Sequence, residues 1–314
     1  MGIAFKADYT VTFIALKPAF LLPCGSDYCG EVTVADIGVA PIDFDFKTTQ
    51  KPIFQKRRHN SHKGDYGTAL LICGSYGMAG AAILAAKAAL RSGLGIAKCV
   101  IDERIYQAFT ASVPEAVCVP IKENENTDIK VLTEKCSALL FGCGSGTSEN
   151  ARKTLENVLK FSDIPIVLDA DGINLLCSNI ELLKKSKVPV IITPHPGEMA
   201  RLCGKSVKEI EQNRIEISKN FATEYGCTLV LKGANTIIAE NNGNISFNTT
   251  GHPGMATGGS GDVLAGITVS LLAQGFSPEF AAKSAVYLHG LAGDKAAAKR
   301  SCHALIPSDI IEEL

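Results

Sequence analysis

Several features are missing from this 314-residue sequence, and each absence removes a class of function. Charge imbalance is the first: 31 basic and 32 acidic residues leave a formal net charge of -1, without long runs of one sign. A nucleic-acid surface needs a basic footprint, and the one basic cluster, "KRRHN" at 56–60, is short and reads as a solvated loop. No stretch approaches the roughly 18 unbroken apolar residues of a membrane span. No C-x-x-C pair occurs among the 11 cysteines, so the usual zinc and redox motifs have little support. Most cysteines, such as Cys73, Cys99 and Cys118, sit in apolar runs, where they behave as small hydrophobes. Residues 1–16 lack the basic n-region and cleavage site of a secretory signal, which makes a reducing, cytoplasmic setting the expectation.

What is present is apolar: 46% of residues are hydrophobic, enough for one large α/β domain or two ordinary ones. In residues 1–50, "YTVTFIAL" (9–16) and "GEVTVADIGV" (30–39) are β-rich runs joined by a Pro/Gly-bearing link. The polar, basic stretch 45–67 then reads as a linker or long surface loop. From Thr68 a theme repeats: "TALLICG", "SALLFGCGSG", "IPIVLDADG", "VPVIITPHPGE" and "CTLVLKGAN" are buried strands ending in Gly- or Pro-bearing turns. An alanine-rich helix follows the first and stops near Gly93; further helices are expected over 149–161, 173–184, 206–225, 262–274 and 278–299. Continuous apolar strands alternating with helices imply a mainly parallel sheet covered on both faces. Ligands bind beyond the carboxyl ends of such strands. That edge would carry Gly74, Gly142 to Gly146, Asp169, Asp171, His195 and Lys232.

The stretch "NTTGHPGMATGGSGDVLAG" (248–266) concentrates six of the 29 glycines, five of them just ahead of Asp262. Successive glycine N–H groups at a helix start make an anion cradle; the plainer reading is a tight turn with Asp262 as a cap. Two other glycine motifs are decoys. "GKS" at 204–206 has Met199 where a P-loop needs glycine, and "GCGSG" at 142–146 has Thr147 where a dinucleotide fingerprint needs its third. "TPHPGE" (193–198) holds His195 between two prolines at a strand end, a rigid presentation of an imidazole and a carboxylate that is unusual for packing alone. Lys232 in "LKGANT" is by itself a weak signal, and the carboxylates of "LDADG" suit either a metal or hydrogen bonding.

Together, "HKGDYGTALLICGS", "AGAAILAAKAALRSGLG", "VLDADGIN", "TPHPGEMARL", "LKGANTIIA" and "GMATGGSGDVLAGI" resemble the ADP- or ATP-dependent NAD(P)H-hydrate dehydratases. These are metabolite-repair enzymes of ribokinase-like α/β fold, and the resemblance spans about 55–314. It implies that the nucleotide, with Mg²⁺, lies on Lys232, Gly233, Ala234, Asn235, Thr236 and Gly261. The hydrate of NADH or NADPH would lie on Ala81, Gly144, His195 and Asp262, with Asp262 as the base. The metal's ligands stay unknown, and Cys143 stands where the family usually carries proline. The 251–267 stretch looks closer to the ADP-using members. Residues 1–46 resemble the closing strands of an NAD(P)H-hydrate epimerase domain plus a linker, ahead of a dehydratase domain at 47–314. The body of that domain is missing, so epimerase activity is not carried over, and deletion of 1–46 is expected to leave turnover within about twofold. The rival readings are a ribokinase-like kinase for a vitamin-precursor alcohol and a non-catalytic nucleotide sensor. Oligomeric state, including homo-oligomerisation, stays open; no nucleic-acid or membrane partner is expected.

Overall fold

A computed structural model describes residues 4–39, 44–122 and 128–314. In it the apolar runs become strands: β1 (Tyr9–Phe13), β2 (Glu31–Ala35), β3 (Phe46–Thr48), β4 (Thr68–Ile72), β5 (Ile96–Asp102) and β6 (Val117–Ile121). They continue as β7 (Ala138–Phe141), β8 (Ile166–Leu168), β9 (Val190–Ile192), β10 (Thr228–Leu231), β11 (Ile237–Ala239) and β12 (Ile245–Phe247). Ten of them form one sheet in the order β3-β12-β11-β10-β9-β8-β7-β4-β5-β6. All neighbours pair parallel except β11, which runs against β10 and β12.

Strand side chains alternate between two cores, one on each face of the sheet. Ala69, Leu71, Ala97, Cys99, Leu140, Val167, Ile191 and Val230 belong to one. Leu70, Ile72, Leu139, Phe141, Ile166, Leu168, Ile192 and Leu231 belong to the other. The first core is closed by the helices Ala79–Arg91, Ser260–Ala273 and Pro278–Lys299, the second by Glu149–Phe161 and Arg214–Tyr225. The parity has a consequence for chemistry. Asp169 and Lys232 each follow a strand-end leucine of the second core, so both point to the face that carries the Ser260–Ala273 helix.

The helix expectations need two corrections. Residues 173–184 are not one helix but Asp171–Leu176 followed by a 3-10 turn, Ile180–Lys185. Residues 206–225 split into Val207–Gln212 and Arg214–Tyr225, because Asn213 leaves helical geometry at φ -130. Gly93, at φ 96, follows the C-cap Ser92 as expected. In the decoy "GKS", left-handed Gly204 ends one helix and Ser206 caps the next.

The linker reading of 45–67 also needs correcting at its start, since β3 pairs parallel with β12 at the sheet edge. Before it, β1 and β2 pair with each other, parallel, and the link between them is helical over Pro18–Leu21 and Pro23–Cys29. No helix among the described residues is long and apolar enough to cross a membrane.

Candidate active site

The carboxyl ends of β4, β7, β8, β9 and β10 converge on the start of the Ser260–Ala273 helix. Gly259 is the N-cap residue, at φ 97, a left-handed conformation that glycine reaches without strain. It gives no side-chain cap, so Asp262 is a first-turn carboxylate and not the cap. Ser260 Oγ lies 3.2 Å from His289 Nε2.

Asp262 is half-buried and faces a network of charge. Asp169 Oδ1 accepts hydrogen bonds from Lys232 Nζ at 2.7 Å and from Thr193 Oγ1 at 2.8 Å. The same Nζ is 3.9 Å from Glu198 Oε2. Burial would lower the Lys232 pKa, but Asp169 and Glu198 outweigh it and hold the ammonium above its ordinary value. One lysine thus serves a cluster of three carboxylates. Burial and then Asp169 push Asp262 up to about 6, against the opposing Cys143 thiol and Lys232. Cys143 is fully buried, with its Sγ 4.0 Å from Asp169 Oδ2. The hydrogen bond with the Cys73 thiol, then burial and the two carboxylates, push its pKa well up, so it stays a neutral thiol.

Gly261 abuts this cluster: a Cβ there would stand 3.2 Å from Lys232 Nζ. An ammonium beside the helix N-terminus, whose first N–H groups lack intrahelical partners, suits an anion. Gly144 and Ala81 meet each other, since a Cβ on Gly144 would lie 2.9 Å from Ala81 Cβ. Ser145 and Gly146 line a cavity of about 370 Å³ that also touches Ser75, Tyr76 and Arg104.

His195 joins the cluster through Glu198. It is the N-cap of Pro196–Cys203, accepting from Gly197 N–H at 3.0 Å through Nδ1, while Glu198 accepts the His195 N–H at 2.8 Å. Partial burial and then Lys232 lower its pKa, which favours a neutral imidazole with Nδ1 as the acceptor. Its ring is nonetheless exposed at the edge of the site. Beyond Lys232 the loop exposes Gly233 and Ala234, Asn235 is left-handed at φ 51, and Thr236 Oγ1 donates to Gly233 O at 3.0 Å.

Sequence reasoning singled out the "TPHPGE" carboxylate, Glu198, but missed Thr193, the Cys143 thiol, and Arg214 beneath the 232–236 loop. It also missed Ala170, at a positive φ of 47 between Asp169, which pairs with Lys232, and Asp171, whose Oδ2 accepts the Gly146 N–H at 2.9 Å. A non-glycine residue there is strained, and such strain concentrates at functional sites. The two carboxylates of "LDADG" are thus taken up by hydrogen bonds and an ion pair.

Cys143, Asp169 and Asp262 bring a ligand atom each within 4.8 Å of one another. The set does not fit Mg²⁺, which wants octahedral oxygen ligands: one member is a buried thiol, and Lys232 already occupies Asp169.

An open, mainly parallel sheet with a glycine-cradled helix start at its carboxyl edge defines a class, the ribokinase-like α/β proteins. A ribokinase-like superfamily protein from Enterococcus faecalis superposes with a TM-score of 0.76 at 29% identity, covering 87% of this chain and 96% of that one. The ADP/ATP-dependent NAD(P)H-hydrate dehydratase of Bacillus subtilis, co-crystallised with ATP and Mg²⁺, gives 0.72 at 33% identity over 83% and 91%. A family model for NAD(P)H-hydrate dehydratase matches residues 69–314, and the chain belongs to that family. The ADP-dependent (S)-NAD(P)H-hydrate dehydratase of Neisseria meningitidis is 38% identical over 77% of this chain and 81% of its own length. The bifunctional NAD(P)H-hydrate repair enzyme of Moorella thermoacetica is 35% identical over the whole chain, which spans only 62% of that relative's length.

Proposed function

We propose that this chain dehydrates the S-epimer of NADH hydrate or NADPH hydrate, consuming ADP in preference to ATP and releasing AMP and phosphate. One observation carries the reading: in a chain that matches the dehydratase family over residues 69–314, Asp262 lies half-buried beside Asp169 at the glycine-cradled helix start, where burial and then Asp169 lift its pKa to about 6. A base is most effective when its pKa lies near the working pH. Asp262 takes the proton from the ring's C6 hydroxyl as that oxygen attacks the terminal phosphorus of the nucleotide. The bond from that phosphorus to the bridging oxygen breaks, leaving AMP from ADP. The ring nitrogen's electron pair then expels phosphate from C6, and loss of a proton from C5 restores the double bond. The oxygen of the lost water ends in the phosphate.

In this reading Lys232, Gly233, Ala234, Asn235, Thr236 and Gly261 hold the nucleotide, and Ala81, Gly144, His195 and Asp262 hold the hydrate. The helix N-terminus and the Lys232 ammonium stabilise charge on the transferring phosphoryl group. Mg²⁺ enters as the counter-ion of the phosphates, and no residue is assigned to it. Residues 47–314 form the catalytic domain. Residues 1–46 correspond to the end of the epimerase domain plus the linker of bifunctional relatives, a reading supported by an alignment that runs through them. No epimerase activity is assigned. The ten described cysteines are all free, which supports a cytoplasmic setting.

The test is incubation with NADH hydrate and either nucleotide, following the regain of dihydronicotinamide absorbance. Regain with ADP, faster than with ATP, is expected. A stable phosphomonoester without regained absorbance would make the protein a kinase instead.

A further inference from the structure

We propose that residues 18–23 form the outer wall of the nucleotide site and close over the nucleoside end of ADP. The inference rests on the placement of the nucleotide along the 232–236 loop in the reading above. It adds residues that lie outside the family match, which begins at residue 69.

The wall is anchored by two contacts. Leu21 is buried in the same core as Leu231 and Ile237, which flank the loop. Its carbonyl oxygen accepts a hydrogen bond from Asn235 Nδ2 at 3.0 Å. Between this segment and the loop lies a cavity of about 520 Å³, with Pro23 on one side and Lys208, Glu211, Arg214, Gly233 and Ala234 on the other. That volume falls within the usual range for small-molecule sites.

The floor of the cavity is held rigidly. Arg214 is only 1% exposed and donates through Nη2 to Leu231 O at 3.1 Å and Lys232 O at 3.2 Å, while its Nη1 pairs with Glu211 at 3.1 Å. A planar guanidinium engaged this way fixes the point where the strand becomes the loop. The loop therefore has a defined polarity. Lys232, beside Gly261 and Asp169, marks the phosphate end, and Ala234 and Asn235 mark the end that meets Pro23. The chemistry at that far end suits a nucleoside: the Glu211 carboxylate can accept from ribose hydroxyls, and the Pro23 ring offers an apolar face to a base.

The sequence contains no tryptophan, so a single introduced indole reports its surroundings without background. Pro23→Trp places the reporter on the wall and Lys208→Trp places one on the floor side; each is titrated with ADP. The expected result is a saturable emission change in both, with the same half-saturating concentration. A change in Lys208→Trp alone overturns the wall and leaves the nucleotide placement standing. No change in either removes the nucleotide from this cavity and the wall with it. A third variant, Leu21→Ala, loosens the anchor while leaving every polar group in place. Its KM for ADP should rise about tenfold while the KM for NADH hydrate stays unchanged, both read well below the melting temperature, which loss of the Leu21 core contact lowers. Unaltered or tighter ADP binding in that variant would show the segment to be a bystander or an obstacle.

Discussion

At neutral pH Asp262 carries a charge that its surroundings resist, since burial and Asp169 lift it from 3.8 to about 6. The sign of the linkage follows. A group whose folded pKa exceeds its unfolded one contributes stability below the unfolded value, and that contribution is lost as pH rises through about 6. Two pKa units correspond to roughly 2.7 kcal/mol, and partial exposure brings the expected effect to about 1–2 kcal/mol. Asp262→Asn removes the charge and no cap, because Gly259 is the N-cap residue. This variant should therefore melt a few degrees above the wild type at pH 8, with the gap closing toward pH 4. Turnover should fall roughly 10²- to 10⁴-fold, the range of general base catalysis. A folded Asp262→Asn protein with near-wild-type turnover would remove the carboxylate from the mechanism. Cys143 acts in the opposite direction on the same group, holding the Asp262 pKa down through a thiol hydrogen bond. Cys143→Ala should move the acid limb of the kcat/KM profile, set by Asp262, to higher pH. An unmoved limb would mean that the thiol only packs.

Elements bring these residues together through unusually close packing of two helices. Ser260–Ala273 is buried almost all round, and a Cβ on Gly266 would stand 2.2 Å from the Ala85 carbonyl oxygen of Ala79–Arg91. Backbone meets backbone there, so a side chain cannot be accommodated by rotating a neighbour. Gly266→Val should force the helices apart and cost about 1–3 kcal/mol or more, read as a lowered melting temperature. Turnover should fall as well, because Asp262 rides on the displaced helix. A wild-type melting temperature would show that the packing is looser than drawn. This explains what the sequence could disclose about its elements. The alanine-rich run 79–91 and the glycine cluster could each be read locally, and so could the strand ends that carry Asp169, His195 and Lys232. The close approach of the two helices could not, since it depends on which residues face each other. The antiparallel β11–β12 hairpin is not among the expected elements, although its Asn242–Gly243 pair is a hairpin signal. The raised Asp262 pKa was also out of reach, because it comes from burial and then from Asp169, which only the folded sheet edge brings beside it.

Across the whole molecule, the position of the boundary near residue 46 decides what a truncation removes. The sequence places it between a fragment and a catalytic domain, whereas the large sheet begins at Phe46. Phe46 packs edge-on against Phe247 at 6.1 Å between ring centroids, and Thr49 Oγ1 donates to Asn248 Oδ1 at 2.7 Å in a buried bond. The preceding β1–β2 pair is different. Two-stranded sheets are marginal by themselves, and Tyr9, Val11 and Phe13 are all exposed. Removing residues 1–35 should spare the sheet but take Leu21 out of the second core, lowering the melting temperature modestly and, against the expectation that residues 1–46 are dispensable, weakening ADP binding through loss of the 18–23 wall. Removing residues 1–49 should also strip β3 from β12, uncover Phe247 and break the Thr49 bond. Loss of one buried hydrogen bond and one aromatic contact amounts to roughly 2–3 kcal/mol. For a domain of this size that is a further drop of about 4–12 °C. Calorimetry on the two truncated chains separates the effects. Equal melting temperatures would place the boundary after Thr49, and a large loss already at residue 35 would make the β1–β2 pair part of the folding unit.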